Sequence, residues 1–198
     1  AWKLDLTPED VLVAVLIGLL FPLGWAVGAL PVFLLTRRLA GTRPALVTTA
    51  LYSVTPALIW YTPSLDQLYA LTAPALALWA YWAARRRAVV AAACAGLVGG
   101  LSIFLNLGFV VMAFAAALVI IGAVPARFGA RSRLRAAMPL LVVYVASLAA
   151  VLLAAALVLG IDWVGVARIS ARLRAQTYTV MAPRPWLTWL LLNPVELA

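Results

Sequence analysis

The sequence predicts an all-α protein: a polytopic bundle of transmembrane helices with one amphipathic helix lying in the outer interface. Three observations predict it. The chain is 67% hydrophobic, and its apolar residues fall in long runs. Ten arginines occupy the polar breaks after the first, third and fifth runs, with no acid near them: Arg37, Arg38, Arg43, Arg85, Arg86, Arg87, Arg127, Arg131, Arg133 and Arg135. All six acids (Asp5, Glu9, Asp10, Asp66, Asp162, Glu196) fall in the other breaks. Short loops rich in Lys and Arg stay cytoplasmic, which leaves the acids on the outer side. A multi-pass protein of a bacterial inner membrane is the expectation. Chemistry that needs a carboxylate then belongs to the outer side.

A spanning helix needs about 20 apolar residues, with roughly 17 as the lower limit. Residues 11–36 meet this, with Pro22 and Pro31 inside. Proline is tolerated in spanning helices because neighbours re-satisfy the freed backbone groups. Thr7-Pro8-Glu9-Asp10 is a helix-start signal. Residues 45–61 return outward, with Pro56 in the outer third and Trp60 and Tyr61 as interfacial anchors. After the turn 62–67, residues 68–84 run inward through Pro74 to Arg85-Arg86-Arg87.

Residues 88–124 are too long for one helix, and arginines bracket them on both sides. An even number of crossings is required, or a re-entrant hairpin. Asn106-Leu107-Gly108 is the natural break, since Asn and Gly form turns. The expectation is two short helices, 89–105 and 109–124, with Gly96, Gly99 and Gly100 as a close-packing signal on the first. Residues 137–160 then span outward, residues 162–185 lie on the outer side, and 186–198 begin another apolar segment. The count is six spans and the start of a seventh, read as an internal piece of a larger polytopic protein.

Composition narrows the function classes. The net charge of +9 is a topology signal with contact to anionic lipid head groups, not a nucleic-acid footprint. The chain contains no His, which removes the commonest general base and transition-metal ligand. Zinc chemistry and Ser-His-Asp catalysis within the chain are thereby excluded. Cys94 is the single cysteine and makes no intrachain disulfide. No metal or cofactor is implied.

Three constellations are candidates for function. Asp66 is the only acid between Asp10 and Asp162. It either caps the following helix or, with Gln67, lines a polar cavity on the outer side. The stretch DWVGVARISARLRAQ, residues 162–176, has Trp163, Val166, Ile169 and Leu173 on one helical face and Arg168 and Arg172 on the other. It reads as an interfacial helix. Its three arginines, Arg174 included, run against the positive-inside tendency. They either rest on lipid head groups or bind a phosphate, whose oxygens guanidinium recognises with paired donors. In the last segment, Asn193 and Glu196 are costly in lipid. They either face a polar site or satisfy backbone groups freed by Pro194.

The stretch LLTRRLAGTRPALVTTALYSVTPALIWYTPSLDQLYAL, Leu34 to Leu71, resembles a unit of the GT-C membrane glycosyltransferases. That class includes protein O-mannosyltransferases and the aminoarabinose transferase of lipid A. The unit is an arginine-rich turn, a short helix ending in Pro, an outer turn with Asp, and a helix. The helix pair around Asn106 is similar too, and RPWLTWLLLNPVELA, residues 184–198, resembles a stretch in bacterial members of this group. The resemblance implies transfer of a sugar from a polyprenyl-phosphate carrier to an acceptor on the extracytoplasmic side. It implies a carboxylate base in the first large outer loop and arginines on the departing phosphate. The base is normally upstream of residue 11, and Asp5, Glu9 and Asp10 do not match its motif, so no catalytic residue is named. Asp66, Gln67, Arg168, Arg172 and Glu196 are the candidate substrate-binding residues. The expected partners are membrane lipids and the lipid-linked sugar donor. A transporter or lipid-handling protein, or an inactive scaffold of the same fold, are the alternatives.

Overall fold

The computed structural model describes residues 7–54, 68–125 and 130–181. These residues are helical, with no strand among them. The order is α1 (Pro8–Ala40), α2 (Thr42–Ser53), α3 (Leu68–Arg86), α4 (Val89–Leu105), a 3-10 turn (Leu107–Phe109), α5 (Val110–Ala123), α6 (Ala130–Leu159) and α7 (Trp163–Met181). The chain divides into two compact units, 1–154 and 155–198.

Local chemistry sets the helix ends. Asp10 N–H donates to Thr7 Oγ1 at 3.2 Å, and Thr7 N–H donates to Asp10 Oδ2 at 2.9 Å. This reciprocal capping box, with Pro8 in the first turn, starts α1. Gly41 ends it with φ 92°, a backbone region open essentially to glycine. Between α4 and the 3-10 turn, Asn106 takes an extended conformation and its Oδ1 accepts from Gly108 N–H at 2.8 Å. The break expected at Asn106 is therefore a side-chain-capped turn.

Within residues 1–154 the core is built from small side chains. Ala80, Ala83 and Ala84 of α3 meet Ala92 and Ala95 of α4, and Ala113, Ala116 and Ile120 of α5, all buried. Close approach replaces bulk as the source of dispersion contact. Gly96 and Gly100, four apart on α4, let α6 come close. A Cβ on Gly96 would collide with the Tyr144 carbonyl oxygen, and one on Gly100 would stand 2.8 Å from the Leu148 oxygen. Tyr144 fixes the register by donating from its hydroxyl to the Ala113 carbonyl at 2.8 Å. The buried hydroxyls of Thr72 and Ser102 donate to the carbonyls of Leu68 and Val98, four residues back, at 2.9 and 2.7 Å.

Among the described residues, two helices are long and apolar enough to cross a membrane: Pro8–Ala40 and Arg131–Leu159. The most apolar stretches of these helices are only 12% and 6% buried within the chain, less than the core helix of a globular protein. Among the described residues, the other expected spans have no helix of that length and apolarity. The physical reason is length and polarity. The 14 residues of α5 reach about 21 Å, short of a hydrocarbon core of about 30 Å. The 17 residues of α4 reach about 26 Å. Helix α3 is long enough, but its Tyr, Trp and Thr residues make it less apolar. Residues 55–61 of the expected second span and all of 186–198 lie outside the described residues.

Candidate functional site

Of the five candidate binding residues, the structure describes two. Asp66, Gln67 and Glu196 lie outside the described residues. Arg168 and Arg172 lie on α7, four residues apart and both exposed. Helix α7 is the most amphipathic of the described helices, as its sequence leads one to expect. Its start is built by local hydrogen bonding. Gly160 takes a left-handed φ of 67°, and Asp162 Oδ1 then accepts from Val164 N–H at 3.0 Å. Asp162 thus caps the helix. On the apolar side Trp163 is half-buried, and Val166 and Ile169 are exposed at 38% and 59%. Among the described residues, Arg168 and Arg172 have no ion-pair partner. The helix therefore offers two solvent-facing guanidiniums one turn apart.

A second basic feature is not legible in the sequence. A cavity of about 640 Å³ lies at the arginine-rich ends of several helices in residues 1–154. Arg38 comes from the last turn of α1, Arg85 from the last turn of α3, and Arg133 from the first turn of α6. Tyr81 joins them, and Leu35, Leu39, Val119 and Val124 supply apolar wall. The three arginines lie far apart in sequence and meet only through helix packing. Along the chain, topology alone accounts for each of them.

The electrostatics of this cavity are one-sided. Glu9, Asp10 and Asp162 are the acids among the described residues, and none lines it. At α1 and α3 the helix dipole favours the arginines, since both occupy a C-terminal turn. At α6 the sign is reversed: Arg131 and Arg133 sit in an N-terminal turn that has no acid. Arg133 Nε–H is also sealed from solvent, with no acceptor in hydrogen-bond reach among the described residues. Leaving such a donor unsatisfied costs about 1–3 kcal/mol or more for a charged group. The neighbouring Arg86 is differently employed, with its guanidinium 5.5 Å from the ring centre of Trp82.

The described residues hold no group of three His, Cys, Asp or Glu that could take a metal ion. Outside the capping box, the described carboxylates are solvent-facing at helix starts. Asp10 precedes the apolar run 11–36 and is fully exposed. It is held below the ordinary carboxylate range by the hydrogen bonds it accepts from the Thr7 hydroxyl and backbone. Comparison with known proteins adds no relative: no family model, no curated protein and no solved structure matches the chain.

Proposed function

We propose that the chain is the helical part of a multi-pass inner-membrane protein of the GT-C type, which transfers a sugar from a polyprenyl-phosphate carrier to an acceptor on the extracytoplasmic side. The observation that carries the phosphate part of this reading is the pair Arg168 and Arg172. They are exposed and one turn apart on an amphipathic helix that follows, in the chain, an apolar helix long enough to span. Residues four apart share a helix face and are separated by about 6 Å along the axis. Two guanidiniums so placed reach one phosphate from two sides. The resemblance of residues 34–71 supports the transfer chemistry itself.

The membrane part rests on exposure. Leu16, Leu19, Leu23 and Leu30 of α1 and Leu153 and Leu157 of α6 are more than half exposed. Contiguous apolar surface of this kind is rare on soluble monomers and ordinary in lipid. The alternation of charge along the chain supports a cytoplasmic side for the arginine-rich breaks and an outer side for α7.

In the proposed reaction the acceptor oxygen attacks the anomeric carbon, and its proton passes to a carboxylate. The bond from that carbon to the phosphate oxygen breaks, and the lipid phosphate leaves with the electron pair. The arginines are stronger partners for the departing phosphate than for the diester, because its charge grows as the bond breaks. The test is binding and turnover of a radiolabelled polyprenyl-phosphate sugar by the membrane-embedded protein. Arg168→Gln with Arg172→Gln is expected to weaken donor binding about tenfold or more, as loss of charge-assisted hydrogen bonds does. Unchanged binding removes the arginines from the site. Binding without transfer to any acceptor favours a lipid-handling protein over an enzyme.

A further inference from the structure

We infer that the cavity between α1, α3, α5 and α6 is a binding site for the phosphate head group of an anionic membrane lipid. The inference rests on the membrane reading and is independent of glycosyl transfer.

Charge argues for the head group. Arg38, Arg85 and Arg133 line one cavity, and no acid among the described residues lines it with them. Three cations around a shared space repel unless an anion lies between them, and a phosphate supplies both the charge and several acceptor oxygens. Two features single out Arg133. It stands in the first turn of α6, where the dipole disfavours a cation but favours an anion nearby. Its Nε–H is buried without an acceptor among the described residues. One phosphate oxygen would satisfy both demands.

The wall argues for a lipid rather than a free ion. Leu35, Leu39 and Val119 line the same cavity as the arginines. Leu39 is also 65% exposed, so the apolar wall of the cavity reaches the outer surface of α1. A ligand with a charged head and an apolar tail fits both parts. The ends of these helices carry the arginine-rich breaks, which on the membrane reading sit at the level of cytoplasmic head groups.

The experiment uses the full chain, purified in a neutral detergent. Binding of phosphatidylglycerol and of phosphatidylcholine is measured by native mass spectrometry, with inorganic phosphate as competitor. The chain is expected to retain phosphatidylglycerol selectively. Arg133→Gln is expected to weaken that binding about tenfold. The pair Arg38→Gln and Arg85→Gln, at exposed positions that leave folding intact, should do the same. The pair Arg37→Gln and Arg43→Gln removes equal charge outside the cavity and should change binding less than about twofold, as an exposed charge does. Equal losses in the two pairs would overturn the site and leave only general surface attraction. Equal retention of phosphatidylcholine would overturn the head-group assignment. Inorganic phosphate binding as tightly as phosphatidylglycerol would overturn the lipid and assign the cavity to a free anion.

Discussion

The Tyr52 hydroxyl stands 2.9 Å from the carbonyl oxygen of Ala70, the acceptor that Pro74 deprives of its helical partner. In a helix the N–H of residue 74 would bond the carbonyl of residue 70, and proline has no N–H. Tyr52 supplies the missing donor from α2. It also lies 3.1 Å from the Trp25 carbonyl oxygen of α1, and it packs over Gly28, where a Cβ would collide with its oxygen. One hydroxyl thus joins three helices at the place where one of them lacks a backbone donor.

Replacing Tyr52 by Phe should destabilise the protein by about 1 kcal/mol, the usual scale of a lost hydrogen bond. In a Pro74→Ala background the cost should shrink, because alanine restores an N–H to bond the Ala70 carbonyl. Thermal unfolding of the four proteins in detergent measures the coupling. A Tyr52→Phe effect that is the same in both backgrounds would show that the hydroxyl does not serve the proline gap.

The α4–α6 contact predicts a contrast among glycines. Gly100→Val should cost about 1–3 kcal/mol or more, because its Cβ would meet the Leu148 oxygen and the Val151 Cβ, each at 2.8 Å. Gly18 has nothing within 4 Å of such a Cβ. Gly18→Ala should therefore be neutral or stabilising by about 0.5–1 kcal/mol, the helix-propensity difference. Midpoints of thermal unfolding check both signs.

The start of α1 should respond to acid. Asp10 has its carboxylate stabilised by Thr7, so its folded pKa lies below the unfolded value. Its contribution is present above the ordinary carboxylate range and is lost as pH falls through the lower folded value. Amide exchange in the first turn of α1 should accelerate over that acid range, beyond the intrinsic rate. Asp10→Asn should remove the pH dependence while Thr7 still accepts from residue 10. An unchanged profile in the variant would assign the acid response to another group.

Charge sorting predicts which ends face the cytoplasm. With Cys94 replaced by Ser, Thr42→Cys should be shielded from a membrane-impermeant thiol reagent in intact cells and labelled after permeabilisation. Ile161→Cys, just after α6, should be labelled in intact cells. The reverse pattern would invert the orientation and with it the side assigned to Arg168 and Arg172.

What can be read along the chain is what local chemistry decides. The Thr7–Asp10 cap, the Asn106 turn, the helix over 89–105 and the amphipathic α7 all follow from residues within a turn or two of one another. The spacing of Arg168 and Arg172 belongs here as well. Helix lengths are less legible, since α6 starts at Ala130 where the apolar pattern begins at residue 137. Arginine is a good helix former, so polarity ended the apolar run without ending the helix.

By itself, then, the sequence determined the helical class, the apolar character and the sorting of charge. These are properties of each segment and its solvent. Tertiary structure alone decided that Arg38, Arg85 and Arg133 share one cavity, and that Tyr52 answers for Pro74. The reason is physical. A guanidinium at a helix end is equally at home in water, on a head group or against a bound phosphate. Which of these it meets depends on what packs beside it, and that is settled by alanine and glycine contacts between helices distant in the chain.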